Sequence, residues 1–314
     1  MPAPPPESTL WAYAPDAAPY EAAGVPSWLD DLSLGVAPPF VKMGTRALPV
    51  SEIFTSDGFR DPEVALRNRL LDEQPGTVFA VRATPEVADA SREILGIVTA
   101  WLTESGLGWA HDGEHPLERA ARSVQEDLCI MVRRDGQWHL DGAVVCFPSL
   151  WSLPDLLGQP LGGLHHVVPH YASEVAGRVN TFLDRMRPGT AVHRRNLSIK
   201  PYPLLYLPVT KADQPLISTA TADDGSPYWL RTEYQTLYRL PGSDAILFTI
   251  KVQMAPARVL LERRDIARRL ARMYRSWDDQ MMAYKSGTFG LEQSFLPWLE
   301  HIATEVGDSD SNGR

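Results

Sequence analysis

The sequence predicts an α+β domain, a mostly antiparallel sheet with helices packed around it. Three observations lead there. LCIMVRR (128–134) and WHLDGAVVCF (138–147) flank Asp135-Gly136-Gln137, and YWLRTEYQTLYRL (228–240) and AILFTIKVQM (245–254) flank Pro241-Gly242-Ser243-Asp244. Short glycine-bearing connections between β-rich runs are hairpin signals. Outside these runs, apolar residues recur at helical spacing, and no regular strand–helix alternation supplies the crossovers a parallel sheet needs.

The elements follow in chain order. Residues 1–37 read as an extended N-terminal arm, with seven prolines between Pro2 and Pro26 and no sustained period. A helix over 60–74 starts at Asp61-Pro62 and carries Val64, Leu66, Leu70 and Leu71. A second, over 85–104, is striped by Ile94, Leu95, Val98 and Leu102, with Gly96 as its weak point. Between the hairpins, a helix is expected at 172–187 and a strand at 190–199. The chain turns helical again over 257–275, where seven arginines face only Glu262 and Asp265. That segment is either a solvated helix or a docking face for an acidic partner. Residues 38–303 are expected to form one domain and 304–314 a disordered tail.

Composition narrows the function. With 44% hydrophobic residues and nine tryptophans the chain can bury a sizeable core. A net charge of −9 and a pI near 5.4 argue against a nucleic-acid partner. No apolar run is long enough to span a membrane, and the N-terminus lacks the pattern of a secretion signal, so a cytoplasmic location is expected. Two cysteines, Cys129 and Cys146, are too few for an iron–sulfur cluster or a Cys-only zinc site. They read as reduced core thiols, with a cross-hairpin disulfide as the alternative. Dinucleotide, P-loop, GxSxG and HExxH motifs are all missing.

Histidine placement is the most informative local feature. His165, His166 and His170 fall within six residues of LGGLHHVVPHY. Neutral imidazole ligates iron, copper or zinc, although a loop histidine is also commonly a hydrogen-bonded structural residue. Upstream, CFPSLWSLPDLLGQPL, with Trp151, has the character of a lining for a flat apolar ligand, or of ordinary core. Downstream, AVHRRNLSIKP sets Arg194, Arg195 and Asn196 on a strand, with Glu233 available as counter-charge, because an unpaired buried guanidinium is costly.

Several blocks in order carry a resemblance: PPFVKMGTRALP, the long run from HPLERAARSVQEDLCIMVRRDGQWHL through LGGLHHVVPHY, then VHRRN and TEYQTLYRLPGSDAILFTI. Together, over about residues 38–275, they resemble the haem-dependent oxidative N-demethylase family. The resemblance implies a PAS-like haem-binding domain, haem b with histidine-ligated iron, and oxidation of a small amine or other nitrogen-containing substrate with O2. Electrons would come from a separate reductase carrying flavin and an iron–sulfur centre.

His165 takes the family motif's histidine position and is the expected iron ligand, with His166 and His170 as second choices and Trp151 and Tyr171 lining the cofactor. Arg194, Asn196 and Glu233 are the expected catalytic residues. Val167 stands in place of the motif's first proline, Leu197 in place of the family's tryptophan, and Tyr234 in place of its arginine. If Leu197 and Tyr234 border the pocket, they alter its size and polarity. A larger amine, a hydroxylamine or an oxime then becomes an alternative substrate, and a non-catalytic gas or redox sensor and a haem-free protein that keeps only the fold are further alternatives.

Overall fold

The computed structural model describes residues 7–35, 44–110, 112–164, 176–210, 213, 221–286 and 290–304. Its centre is a seven-stranded sheet, antiparallel at every pairing. The strands are β1 (Arg46–Leu48), β2 (Phe79–Val81), β3 (Asp127–Arg134), β4 (Gln137–Val144), β5 (Ala191–Lys200), β6 (Trp229–Arg239) and β7 (Ile246–Pro256), in the spatial order β1-β5-β6-β7-β3-β4-β2. The α+β expectation holds.

Turn chemistry explains the hairpins. Arg134 pairs with Gln137 around the two-residue turn Asp135-Gly136, and both turn residues have positive φ (50° and 76°), which the twist of a two-residue hairpin demands. The β6–β7 turn is held from outside. The carboxylate of Glu93, on the helix Pro85–Glu104, accepts from Gly242 N, Ser243 N and Ser243 Oγ at 2.7–2.8 Å. Gly96 in that helix faces open space, so its lack of a side chain leaves no hole in the packing.

Residues 7–35 depart from the expected extended arm. They form short helices at Glu7–Ala12 and Ala18–Ala22, and send Leu10, Tyr13, Tyr20, Trp28, Leu29 and Leu32 into the main core. Aromatic and leucine side chains among the prolines outweigh the proline signal for an extended chain, because each buried ring or aliphatic group contributes about 1.5–3 kcal/mol. The arginine-rich segment, resolved into Val259–Glu262 and Arg264–Arg275, fastens this region down. Arg263 pairs with Asp30 and Asp265, Arg258 donates to Glu21 O, Arg269 to Leu32 O, and Arg275 pairs with Glu300. Most of its charge is therefore spent within the chain.

Two apolar clusters pack against the sheet. The larger contains Cys146, and the smaller contains Cys129 with Met131, Trp138, Leu140, Leu153, Leu161 and Leu183. Both thiols are free and buried, and burial raises both pKa values, that of Cys146 to about 12. The residues either side of 165–175 both reach the smaller cluster, Leu161 from the helix Leu161–Leu164 and Leu183 from the helix Ala176–Arg185. The latter helix is anchored at Asp184, which accepts from Arg133 Nε (2.8 Å) and Trp138 Nε1 (3.0 Å).

Candidate functional site

Directly opposed residues of an antiparallel pair project to the same face, so the register places side chains in rows. One row is Val192–Leu237–Phe248–Cys129–Ala143, an apolar wall within the smaller cluster. The next row on that face is Arg194–Gln235–Ile250–Asp127, then Asn196–Glu233–Val252, then Ser198–Arg231–Met254. An apolar wall thus runs directly into a polar cluster. Trp151 is partly buried and packs against the apolar part.

Glu233 is built in by strand period. Arg231 and Gln235, two residues either side, share its face: Arg231 Nη1 donates to Oε1 at 3.0 Å and Gln235 Nε2 to Oε2 at 2.9 Å. Arg231 is only 1% exposed and also donates to Phe147 O at 2.8 Å. The counter-charge of Glu233 is therefore Arg231, where the sequence suggested the Arg194-Arg195 pair. Asn196, directly opposite Glu233, accepts from Lys285 Nζ at 3.4 Å.

Lys285 and Tyr284 were not found by sequence reasoning. They come from the helix Asp279–Ser286, whose first turn is capped by Asp278 Oδ1 accepting from Met281 N (2.8 Å). Burial pulls the Lys285 ammonium below the ordinary lysine range; Glu233 opposes that shift and Arg194 adds to it. Burial raises the Tyr284 phenol, with the Glu233 charge adding to it. The only sequence signal for this pair was a tyrosine–lysine step directly after the apolar run Met281-Met282-Ala283.

Strand alternation sends Arg195, Leu197 and Tyr234 to the opposite face. There the Arg195 guanidinium lies 4.9 Å from the Tyr234 ring centre and donates to Gln253 Oε1 at 2.7 Å. Leu197 packs against the larger cluster. The two departures from the family pattern therefore do not border the Asn196–Glu233 cluster.

His165, His166, His170 and Tyr171 lie outside the described residues. The described histidines are engaged elsewhere. His115 Nδ1 accepts from Leu117 N, His139 Nδ1 is 3.1 Å from Gln137 O, His193 packs on Tyr234, and His301 is exposed on the helix Phe295–Thr304. Among the described residues there is no group of three or more His, Cys, Asp or Glu that could hold a metal ion, and no helix long and apolar enough to cross a membrane.

A porphyrin asks for less than a metal cluster: an apolar wall for its ring, cations for its two carboxylates and one imidazole for its iron. The described face meets the first two requirements, with Val192, Leu237, Phe248 and Trp151 beside Arg194 and Lys285. On these two counts the described residues fit the group. The family described as haem-dependent oxidative N-demethylase, alpha subunit-like, has a model that matches residues 102–289, a span that takes in every candidate residue and Lys285. That match covers more than half of the chain, and the chain belongs to this family.

Proposed function

We propose that this protein is a haem-dependent oxidoreductase that oxidises an N-methyl or related nitrogen substrate with O2, with His165 as the residue that would hold the iron of haem b. One observation carries the reading. A single sheet face joins an apolar wall to the Arg194–Asn196–Glu233–Lys285 cluster, and the elements flanking residues 165–175 pack on that same face. The strand order supports the PAS-like expectation: the five long strands stand side by side as second, first, fifth, fourth and third in sequence.

When bound, haem supplies the dioxygen and electron-transfer chemistry that no side chain here provides. The chain supplies position and charge. Arg194 donates to negative charge developing on oxygen, in a site where charge-assisted hydrogen bonds are strong. Glu233 is held rigid by Arg231 and Gln235. Each of its oxygens keeps a second lone pair for a substrate N–H. Asn196 fixes the Lys285 ammonium beside them. The apolar wall keeps water from the reacting carbon. Electrons come from a separate reductase, in keeping with a family described as alpha subunit-like, and the expected setting is cytoplasmic.

The test is the intense Soret band of the purified protein. Wild type expressed with ample haem should show it, and His165→Ala should lose it while His166→Ala and His170→Ala keep it. Formaldehyde release from N-methylated amines, with reductant supplied, tests the reaction. A full Soret band in His165→Ala overturns the ligand assignment; a colourless wild type overturns the haem reading.

A further inference from the structure

Lys285, partly buried, stands out among the cations near the sheet. An ammonium carries three donors, yet among the described residues its one polar contact is the 3.4 Å approach to Asn196 Oδ1, and no carboxylate lies within ion-pair distance. Glu233 has both oxygens engaged, by Arg231 and by Gln235. Of the charged groups that act on Lys285, Glu233 is already paired with Arg231, and Arg194 is a second cation. A partly buried, under-satisfied ammonium in such surroundings is costly unless an anion completes it. The burial that depresses its pKa is the measure of that cost.

We propose that Lys285 is the anion-binding residue of this site and takes a carboxylate oxygen, from a haem propionate or from a carboxylate-bearing nitrogen substrate. The inference rests on the functional reading above and deepens it. A propionate here would orient the porphyrin edge towards Asn196 and the helix Asp279–Ser286. A substrate carboxylate would instead set the substrate class as N-alkyl amino acids rather than simple dialkylamines. A charge-assisted hydrogen bond in a buried site contributes enough that its loss lowers affinity about ten- to hundredfold.

The experiment compares wild type, Lys285→Met and Lys285→Arg as full chains. Soret titration with haemin and with haemin dimethyl ester forms one arm. Calorimetric titration with N-methylglycine and with dimethylamine forms the other. A propionate contact predicts about ten- to hundredfold weaker haemin uptake by Lys285→Met, recovery in Lys285→Arg, and no wild-type–mutant difference with the ester. A substrate contact predicts the same loss for N-methylglycine and none for dimethylamine. Equal affinities of wild type and Lys285→Met in both arms overturn the inference and leave the haem reading standing, as does an equal loss with every probe. A wild type that takes up no haem overturns the haem reading, and the calorimetric arm then decides the inference alone.

Discussion

Arg194 and Arg195 are neighbours in sequence and end on opposite faces of one strand, in opposite kinds of surroundings. Around Arg195 the polar groups are knitted together. Lys251 Nζ reaches Asp57 Oδ2 (3.0 Å), Gln125 Oε1 (3.0 Å), Thr55 Oγ1 (3.1 Å) and Thr55 O (3.2 Å). Glu63 accepts from Tyr20 and Gln125, and Gln253 bridges Arg195 and Asp57. Glu126 Oε2 and Arg195 Nε are exceptions, buried without a hydrogen-bond partner. Around Arg194, by contrast, Lys285 has a single long contact. A buried lysine and a partly buried one thus sit on the two faces of one sheet, the first saturated by its own chain and the second with one long contact among the described residues. Saturation is what a network that holds the fold requires; a shortage is where an added anion would contribute most.

The sharpest way to break this contrast is the same substitution on each face. Lys251→Met strips the ammonium from Asp57 and Gln125, leaving a partly buried carboxylate unpaired. It is expected to cost about 3–5 kcal/mol in denaturant unfolding, with the Soret band of the protein that remains folded unmoved. Lys285→Met removes a group that the apo chain barely satisfies, and its unfolding midpoint should stay close to wild type. If the two substitutions cost equal stability, the two faces do not differ in kind.

The knitted face also sets a pH dependence. Burial raises the Glu63 carboxyl to about 7 from an ordinary value of 4.5, with Asp57 adding to the rise and the hydrogen bonds from Gln125 and Tyr20 opposing it. A carboxyl whose folded pKa is raised stabilises the fold in its protonated form. That contribution is complete below pH 4.5 and is lost as pH climbs through 7. The loss is at most about 3 kcal/mol, from 1.36 kcal/mol per unit. Urea unfolding from pH 4.5 to 7.5 should show wild type losing stability relative to Glu63→Gln across that window. A constant difference between the two would place the titration elsewhere.

Much of the scaffold was legible because local chemistry and tertiary packing agree. Asp135-Gly136 announces its hairpin, the helix predicted over 85–104 is Pro85–Glu104, and the strand expected at 190–199 is Ala191–Lys200. The three-residue strands Arg46–Leu48 and Phe79–Val81 carry too few residues for a period to show. The site was legible by halves. Asn196 and Glu233 were named and stand directly opposite each other. Period-two alternation already implied that Glu233 shares its face with Arg231 and that Arg195 does not share one with Arg194. Lys285 was beyond reach, because only the packing of a distant helix brings residue 285 to residue 196.

The smallest expected effect tests the alternation itself. Tyr234→Arg restores the arginine of the family pattern at a position that faces Arg195 and lies directly opposite Lys251. It exchanges a cation–ring contact for a second guanidinium beside two cations, a loss of about 1 kcal/mol. The sheet backbone separates that side chain from Asn196 and Glu233, so haem uptake and Soret position should match wild type while the unfolding midpoint falls. If Tyr234→Arg instead shifts the Soret band and leaves stability alone, the residue reaches the site from the far face, and the division between a structural and a chemical side of this sheet fails.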